Sequence, residues 1–439
     1  MSGEGVDLPN DWKLVTTGDI AEVVGGGTPK TTISGNFTDE GGHPWITPAD
    51  LTGYTDKYIA RGRRNLSDQG LATSSAKYMP AGTVLYSTRA PIGYVAIASN
   101  PVTTNQGFRS FAPSPEVDPE YLYYGLKLAR PEAERLASGT TFAELSGSNA
   151  KKIHLPLAPL DTQRQIVRLL DAANSSNASA LQHLTVARRA VEHFRQAVLA
   201  AACSGRLTAD WREHNEGTVS GDLVSTATSS VMQDREVPSN WVVARVADIG
   251  TVQLGGTPSR KRPDYWDGGI PWVSSGEVAN CRIASTRETI SALGLASSSA
   301  KVYSVGTVLI AMIGEGKTRG QAAILDIEAV TNQNAAGILA DRQFIDPEYL
   351  WRWALAEYET TRAAGTGGNQ PALNKQRVAN LVIPVPPLNE QVQIVRRVDQ
   401  LLGLADGLRT RIEAASKRVD RSSQAVLAKA FRGELVAGG

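Results

Sequence analysis

The feature that most constrains this chain is that it is written twice. Segments of the first half return in the second half in the same order, at an offset of 224 to 229 residues. Pro9-Asn10-Asp11-Trp12 is answered by Pro238-Ser239-Asn240-Trp241, Gly26-Gly27-Thr28-Pro29 by Gly255-Gly256-Thr257-Pro258, and Pro44-Trp45 by Pro271-Trp272. Ser74-Ser75-Ala76-Lys77 then returns as Ser298-Ser299-Ala300-Lys301, Gly82-Thr83-Val84-Leu85 as Gly306-Thr307-Val308-Leu309, and Thr104-Asn105-Gln106 as Thr331-Asn332-Gln333. Asp118-Pro119-Glu120-Tyr121-Leu122 matches Asp346-Pro347-Glu348-Tyr349-Leu350, and Gln165-Ile166-Val167 matches Gln393-Ile394-Val395. A chain with ordered self-similarity on this scale builds one arrangement of elements twice.

Each copy has two textures. The first is a series of short β-type runs, such as Gly82 to Tyr86, Gly93 to Ala98 and Thr307 to Ile313, punctuated by Gly, Pro, Ser and Thr. Within it Asp118 and Asp346, each followed by Pro, read as helix N-caps. After Pro159 and Pro387 a heptad pattern takes over. Ile166, Leu170, Ala173, Asn177, Ala180, Leu184, Ala187, Val191, Phe194 and Val198 mark the seam of the first copy. Ile394, Val398, Leu401, Ala405, Leu408, Ile412, Ala415, Val419, Ser422 and Val426 mark that of the second. Two matched helices of about 40 residues, roughly 60 Å each, are expected to pack on one another. Ala173, Ala180 and Ala187 would face Ala405 and Ala415, and Asn177 would fix the register. The alternative, that each helix only caps its own domain, needs a shorter apolar stripe. Between the copies, Asn215 to Pro238 is polar and rich in Ser, Thr and Gly, as a surface linker is.

With 439 residues the chain exceeds one ordinary core, and 41% hydrophobic with 20% charged residues is the balance of a soluble globular protein. Met1 to Asp11 has no basic cluster leading into an apolar run, and no stretch of about eighteen apolar residues occurs, so a cytoplasmic protein without a membrane partner is expected. Cys203 and Cys281 are too isolated for a disulfide framework or a Cys-based zinc site. A net charge of +1 argues against a generic nucleic-acid coat but permits a local basic face.

Catalytic motifs fail one by one. Gly314-Glu315-Gly316-Lys317-Thr318 resembles the end of a phosphate-binding loop, but the required earlier Gly is Ala311. No Gly-x-Gly-x-x-Gly follows a strand, and the Asn/Asp-Pro-Pro-aromatic tetrad of adenine methyltransferases is missing. His43, His154, His183, His193 and His214 have no metal-ligand spacing. Nuclease chemistry likewise lacks a carboxylate-plus-lysine cluster.

The Leu-Pro-x-x-Trp opening at Leu8 to Trp12, its Val variant at Val237 to Trp241, the Gly-Gly-Thr-Pro turns, the Thr-Asn-Gln runs and the Pro-x-x-Pro-Leu-x-x-Gln segments at Pro156 to Gln163 and Pro384 to Gln391 together resemble the specificity subunits of Type I restriction-modification systems. The resemblance covers nearly the whole chain. It implies an α+β protein with two β-rich target recognition domains separated by a pair of long antiparallel helices in a coiled coil, with an internal pseudo-two-fold repeat. The divisions are 1–160, the first recognition domain; 161–208, the first spacer helix; 209–236, a linker; 237–388, the second recognition domain; and 389–433, the second spacer helix. It further implies a non-catalytic chain that reads a bipartite double-stranded DNA target. Two modification subunits would bind S-adenosylmethionine and methylate adenine, and restriction or motor subunits would use ATP and Mg; this chain would hold no cofactor. A repeat-built protein-interaction scaffold without nucleic-acid binding is the rival reading, and an ATP-dependent enzyme built on the Gly316-Lys317-Thr318 loop is a third. In the second copy Gly365 to Ala372 replaces the Gly-Thr-Thr-Phe of Gly139 to Phe142, a departure from the repeat.

Base readout favours Arg, Lys, Asn and Gln. Lys30 beside the first Gly-Gly-Thr-Pro turn, with Arg61, Arg63 and Arg64, forms one candidate DNA-binding cluster. Arg260, Lys261 and Arg262 directly after the second turn form another, and Lys317 with Arg319 occupies a loop three residues longer than its counterpart. The bland reading of each is a solvated charged loop. Thr104-Asn105-Gln106 and its repeat occur in both copies and suit a shared structural or phosphate-contact role.

Overall fold

The computed structural model describes residues 8–89, 91–138, 143–215, 237–314, 316–363 and 372–436. The chain divides into two compact units, and neither is a continuous stretch of sequence. One comprises Met1–Thr185 with Glu413–Gly439, the other Val186–Ile412.

In the first unit a five-stranded sheet runs in the order Ala21–Gly25, Phe108–Pro113, Val84–Thr88, Ile92–Ala98 and Tyr58–Ile59. A four-stranded sheet is made of Phe37–Thr38, Arg64–Leu66, His43–Ile46 and Thr103–Thr104, and a ribbon pairs Lys13–Thr16 with His154–Leu157. The second unit repeats the plan. Its five strands are Gly250–Leu254, Ala335–Ala340, Val308–Ala311, Ala322–Leu325 and Cys281–Ile283, its ribbon pairs Val242–Arg245 with Val382–Val385, and its smaller sheet has three strands, Glu288–Ile290, Trp266–Val273 and Val330–Thr331. The central strands are buried on both faces, which is why Val84–Thr88 and Val308–Ala311 read as continuous rather than alternating apolar runs. Helices Pro119–Leu128 and Pro347–Ala356 start where the Asp-Pro pairs place them. Asp118 Oδ1 accepts from the backbone N–H groups of Glu120 and Tyr121 at 2.9 and 3.2 Å, and Asp346 Oδ1 accepts from that of Glu348 at 2.7 Å.

The long helices span Leu160–Cys203 and Leu388–Ala430. Each is anchored at its start by a buried glutamine. Gln163 Oε1 accepts from Asp118 N at 2.9 Å while its Nε2 donates to the Glu116 and Ala158 carbonyls, and Gln391 does the same with Asp346 N, Phe344 O and Pro386 O. This accounts for the repeated Pro-x-x-Pro-Leu-x-x-Gln. A second anchor is electrostatic. Lys57 Nζ lies 2.9 Å from Glu120 and 2.6 Å from Asp171, and in the second unit Glu348 and Asp399, at the repeat-equivalent positions, take Arg282 and Arg352 instead.

Inside each unit the two helical segments run antiparallel. In the first, Asn177 Nδ2 donates to Ser423 Oγ at 2.9 Å, and Leu170 shares a core with Val426, Leu427 and Ala430. In the second, Arg195 pairs with Asp406 at 2.8 Å and Arg397 with the Leu207 carbonyl at 2.8 Å. Asn177 thus makes the register-fixing contact expected of it. Ala173 instead belongs beside the 423–427 stretch, so the expected facing of Ala173 and Ala180 with Ala405 and Ala415 is corrected. An antiparallel register sets Ala405 opposite the Arg195 region. Phe194, Leu408 and Ser422 also depart from the seam and are exposed.

The helix ends settle into the other copy. Phe431 is fully buried in the first unit, its ring 4.7 Å from that of Tyr121. Gly125 sits in the middle of helix Pro119–Leu128 because a Cβ there would press on Phe431 and Leu155 at 3.2 Å. In the second unit the equivalent pair is reversed in size: Cys203 ends the helix and Trp353 fills the site, both buried in one core. Gly205 and Gly433, at φ of 76° and 79°, turn the chain after each helix and leave no room for a Cβ against Pro238 and Pro9. The first helix therefore ends at Cys203 rather than 208. Ala209–Glu213, placed in the linker by sequence, is a short helix held by Arg397–Asp210 and Arg212–Glu390 ion pairs. Gly139 to Phe142, most of the compared Gly365 to Ala372 segment and residues 216–236 lie outside the described residues.

The size exchange gives a prediction. Phe431→Cys should destabilise the first unit by about 3 kcal/mol, the scale for emptying a buried aromatic site. Adding Gly125→Trp, the second unit's own solution, should recover a large part of that loss. Hydrogen exchange resolved by segment measures both, and no recovery in the double variant would mean that the two sites are not one packing unit.

Candidate nucleic-acid interface

The Gly-Gly-Thr-Pro turns and Thr-Asn-Gln runs prove to be two halves of one frame. Gly27 N donates to Thr104 O at 2.8 Å, and Gly256 N to Thr331 O at 2.8 Å. The glycine before each is forced by contact, since a Cβ on Gly26 would lie 2.0 Å from Asn105 O and one on Gly255 2.0 Å from Thr331 O. Thr28 Oγ1 bonds the Gln106 side chain, and Thr257 Oγ1 bonds Gln333 Oε1 at 2.6 Å. Asn105 and Asn332 fold back to accept from the backbone two residues on, at 2.9 and 3.0 Å. Trp45 and Trp272 close the frame from below, their Nε1–H groups donating to the carbonyls of Gly27 at 3.0 Å and Gly256 at 3.1 Å. Of the two roles open to Thr-Asn-Gln, these bonds favour the structural one.

A second aromatic packs against each buried Trp, and a cation lies over that aromatic. Phe37 packs 5.5 Å from Trp45, and the Arg64 guanidinium lies 4.4 Å over Phe37. Trp266 packs 5.2 Å from Trp272, and Arg260 lies 3.8 Å over Trp266. The cation comes from the strand Arg64–Leu66 in one unit and from the turn after Pro258 in the other.

Where the sequence saw two basic clusters, the structure separates them by pairing. Arg260 forms a two-pronged pair with Glu288, one arm at 2.9 Å, and Arg262 does so with Asp264 at 2.8 and 2.6 Å. The Arg260 hydrogen bonds hold the Glu288 carboxyl below the ordinary glutamate range, and those from Arg262 do the same to Asp264. Both carboxylates therefore stay charged at neutral pH, and of this cluster Lys261 alone carries net positive charge outward. In the first unit Lys30 and Arg61 are exposed and form no ion pair with another described residue. Arg63 has an 83% exposed side chain whose guanidinium comes only to 4.0 Å from Asp50. The first cluster therefore keeps its charge while the second is largely neutralised.

The third candidate pair divides. Lys317 is exposed, its carbonyl accepting from Tyr358 Oη at 2.7 Å, whereas Arg319 is buried at 9% exposure and its carbonyl accepts from Arg362. Arg319 is thus corrected from a surface contact to an interior residue. Strand Ala322–Leu325 follows this loop where a phosphate-binding loop would open a helix; Glu315 lies outside the described residues.

Sequence reading missed Glu288, Arg287 and the aromatic pairs. Aligning the copies at the Ser-Ser-Ala-Lys offset of 224 puts Arg63 opposite Arg287 and Arg64 opposite Glu288, and the Gly-Gly-Thr-Pro offset of 229 puts Phe37 opposite Trp266. The signal lay in the repeat itself. Arg63 and Arg287 both donate their backbone N–H to a framework carboxylate, Asp50 or Glu277, at 3.0 Å, and both are exposed.

The frame is directly testable. Gly26→Ala should destabilise the first unit by about 1–3 kcal/mol or more, because the obstacle is backbone rather than a mobile side chain, while Gly53→Ala, whose Cβ would meet nothing within 4 Å, isolates the smaller cost of its positive φ of 74°. Thermal unfolding measures both, and equal losses would show that the Gly26 contact is relieved by local movement.

A family model described as the Type I restriction modification DNA specificity domain matches residues 9–183 and again 238–415. The chain is 29% identical over 386 residues to the MjaIX specificity subunit of a Type I restriction enzyme from Methanocaldococcus jannaschii, covering 87% of this chain and 84% of that protein. It is 26% identical over 442 residues to the EcoDI specificity subunit of Escherichia coli, covering 98% and 90%. Among solved structures, a chain from work on complex assembly and conformational transition of the type I R-M system superposes with a TM-score of 0.74 at 19% identity, covering 97% and 99%. The HsdS subunit of Thermoanaerobacter tengcongensis superposes at 0.59 with 18% identity, covering 99% and 100%.

Proposed function

The chain belongs to the Type I restriction-modification DNA specificity family, and from that premise we propose that each unit reads one half of a bipartite double-stranded DNA target, on the surface built around its Gly-Gly-Thr-Pro frame. The observation that carries this reading is one frame made twice and dressed differently. The Trp–Gly and Thr–Gln bonds repeat, as does the exposed arginine at Arg63 and Arg287, while the other charged side chains above them change from Lys30, Arg61 and Arg64 to Arg260, Lys261, Arg262 and Glu288. Reading two different half-sites requires that combination: shared contacts to place the duplex and variable ones to specify bases. Lys317 on its exposed loop is a further candidate contact of the second unit.

The chemistry is assigned to partners. Two modification subunits would carry S-adenosylmethionine and methylate adenine, restriction or motor subunits would use ATP and Mg, and this chain would direct them without holding a cofactor. No helix among the described residues is long and apolar enough to cross a membrane, and a cytoplasmic site of action, where the DNA is, fits this reading.

Purified alone, the chain should transfer no methyl groups to DNA and bind S-adenosylmethionine only at background. Methyl transfer by the chain alone would overturn the non-catalytic assignment. With a methyltransferase partner it should retain DNA in a sequence-selective, salt-dependent manner, whereas a scaffold would retain none. Replacing Arg260, Lys261 and Arg262 together by Ala should weaken or relax recognition at one half-site, read by sequencing methylated products. Equal change at both halves would make these residues general phosphate contacts or fold determinants.

A further inference from the structure

The two units carry opposite charge at one matched position. Arg63 and Arg287 are alike, exposed and tied by their backbone to the repeat-equivalent carboxylates Asp50 and Glu277, so each suits a contact common to both half-sites. The next residue is Arg64 in one unit and Glu288 in the other, each opening the short strand beside a buried Trp. Donor-only and acceptor-only groups thus stand at the same place on the same frame.

We propose that this position discriminates bases with opposite polarity: Arg64 selects guanine in one half-site, and Glu288 selects cytosine in the other. The proposal rests on the reading of the units as DNA readers and names what that reading leaves open. The exposed Arg64 guanidinium lies over the Phe37 ring at 4.4 Å, a contact that restrains it and leaves N–H groups for the O6 and N7 acceptors of guanine. Glu288 is half-exposed and accepts from Arg260 at both oxygens, but a carboxylate offers about four acceptor sites, so capacity remains for the amino group of cytosine. Arg260 is then a positioning residue. Held 3.8 Å over Trp266, it fixes the carboxylate and keeps it ionised. A pair this exposed adds little to stability, so the expense of two ordered side chains points to a use at the surface.

The test uses the assembled specificity–methyltransferase complex and a DNA library in which every position of the bipartite motif is varied, with methylated products sequenced. Glu288→Arg should change the preferred base at one position of one half-site from cytosine to guanine, and Arg64→Glu should make the reverse change in the other half-site. Each wrong base should lower methylation about 5- to 150-fold. Arg260→Ala should relax preference at the Glu288 position alone, and Arg260→Lys should restore much of it. Glu288→Gln and Arg64→Gln, with melting curves, separate misfolding from misreading. A folded variant whose motif is unchanged, whether its rate falls uniformly or not at all, overturns the proposal. Failure of the underlying reading looks different, since the unmodified complex would then show no two-part motif.

Discussion

Each unit depends on a helix end supplied by the other copy. Phe431 completes a core that begins at Trp12, and Cys203 with Val198 and Leu199 completes the one around Trp241 and Trp353. A duplicated chain faces a pairing problem, because either helix end could in principle enter either core. The size exchange between Gly125 with Phe431 and Trp353 with Cys203 resolves it: a phenyl ring cannot share the site already filled by Trp353, and a thiol would leave a void beside Gly125. Close packing makes such mismatches costly in both directions.

On those cores stands a rigid frame that tolerates change above it. The glycines of the Gly-Gly-Thr-Pro turns are fixed by backbone crowding, the Trp–carbonyl bonds satisfy groups that burial would otherwise leave unpaired, and the Thr–Gln bonds tie the two segments together at the surface. Side chains on the outer edge are free of those duties. That division lets one architecture carry an uncompensated basic cluster in the first unit and a nearly neutral, acid-paired one in the second.

The electrostatics also explain why composition was a poor guide. A net charge of +1 is the sum of local decisions. Several arginines are consumed inside the units, Arg352 on Asp399 and Arg212 on Glu390 among them, and Arg319 is buried. Of the candidate clusters, the first keeps exposed cations at Lys30, Arg61, Arg63 and Arg64, while Arg260 and Arg262 of the second are tied to Glu288 and Asp264. Attraction to phosphate should therefore be uneven between these two clusters.

The sequence by itself determined the duplication, the two long helices, the Asp-Pro helix starts and the register role of Asn177, because all of these rest on order, period and local backbone chemistry. It also carried the family resemblance. Only the tertiary structure decided which helix end completes which core, since Phe431 and Tyr121 are 310 positions apart and nothing local links them. It alone decided which cations remain available: Arg260 and Glu288 are 28 positions apart and meet only when the fold brings the turn after Pro258 beside the strand that Glu288 opens. Charge is written in the sequence one residue at a time, but its compensation is set by contacts across the fold. That is why the basic clusters were legible and their neutralisation was not.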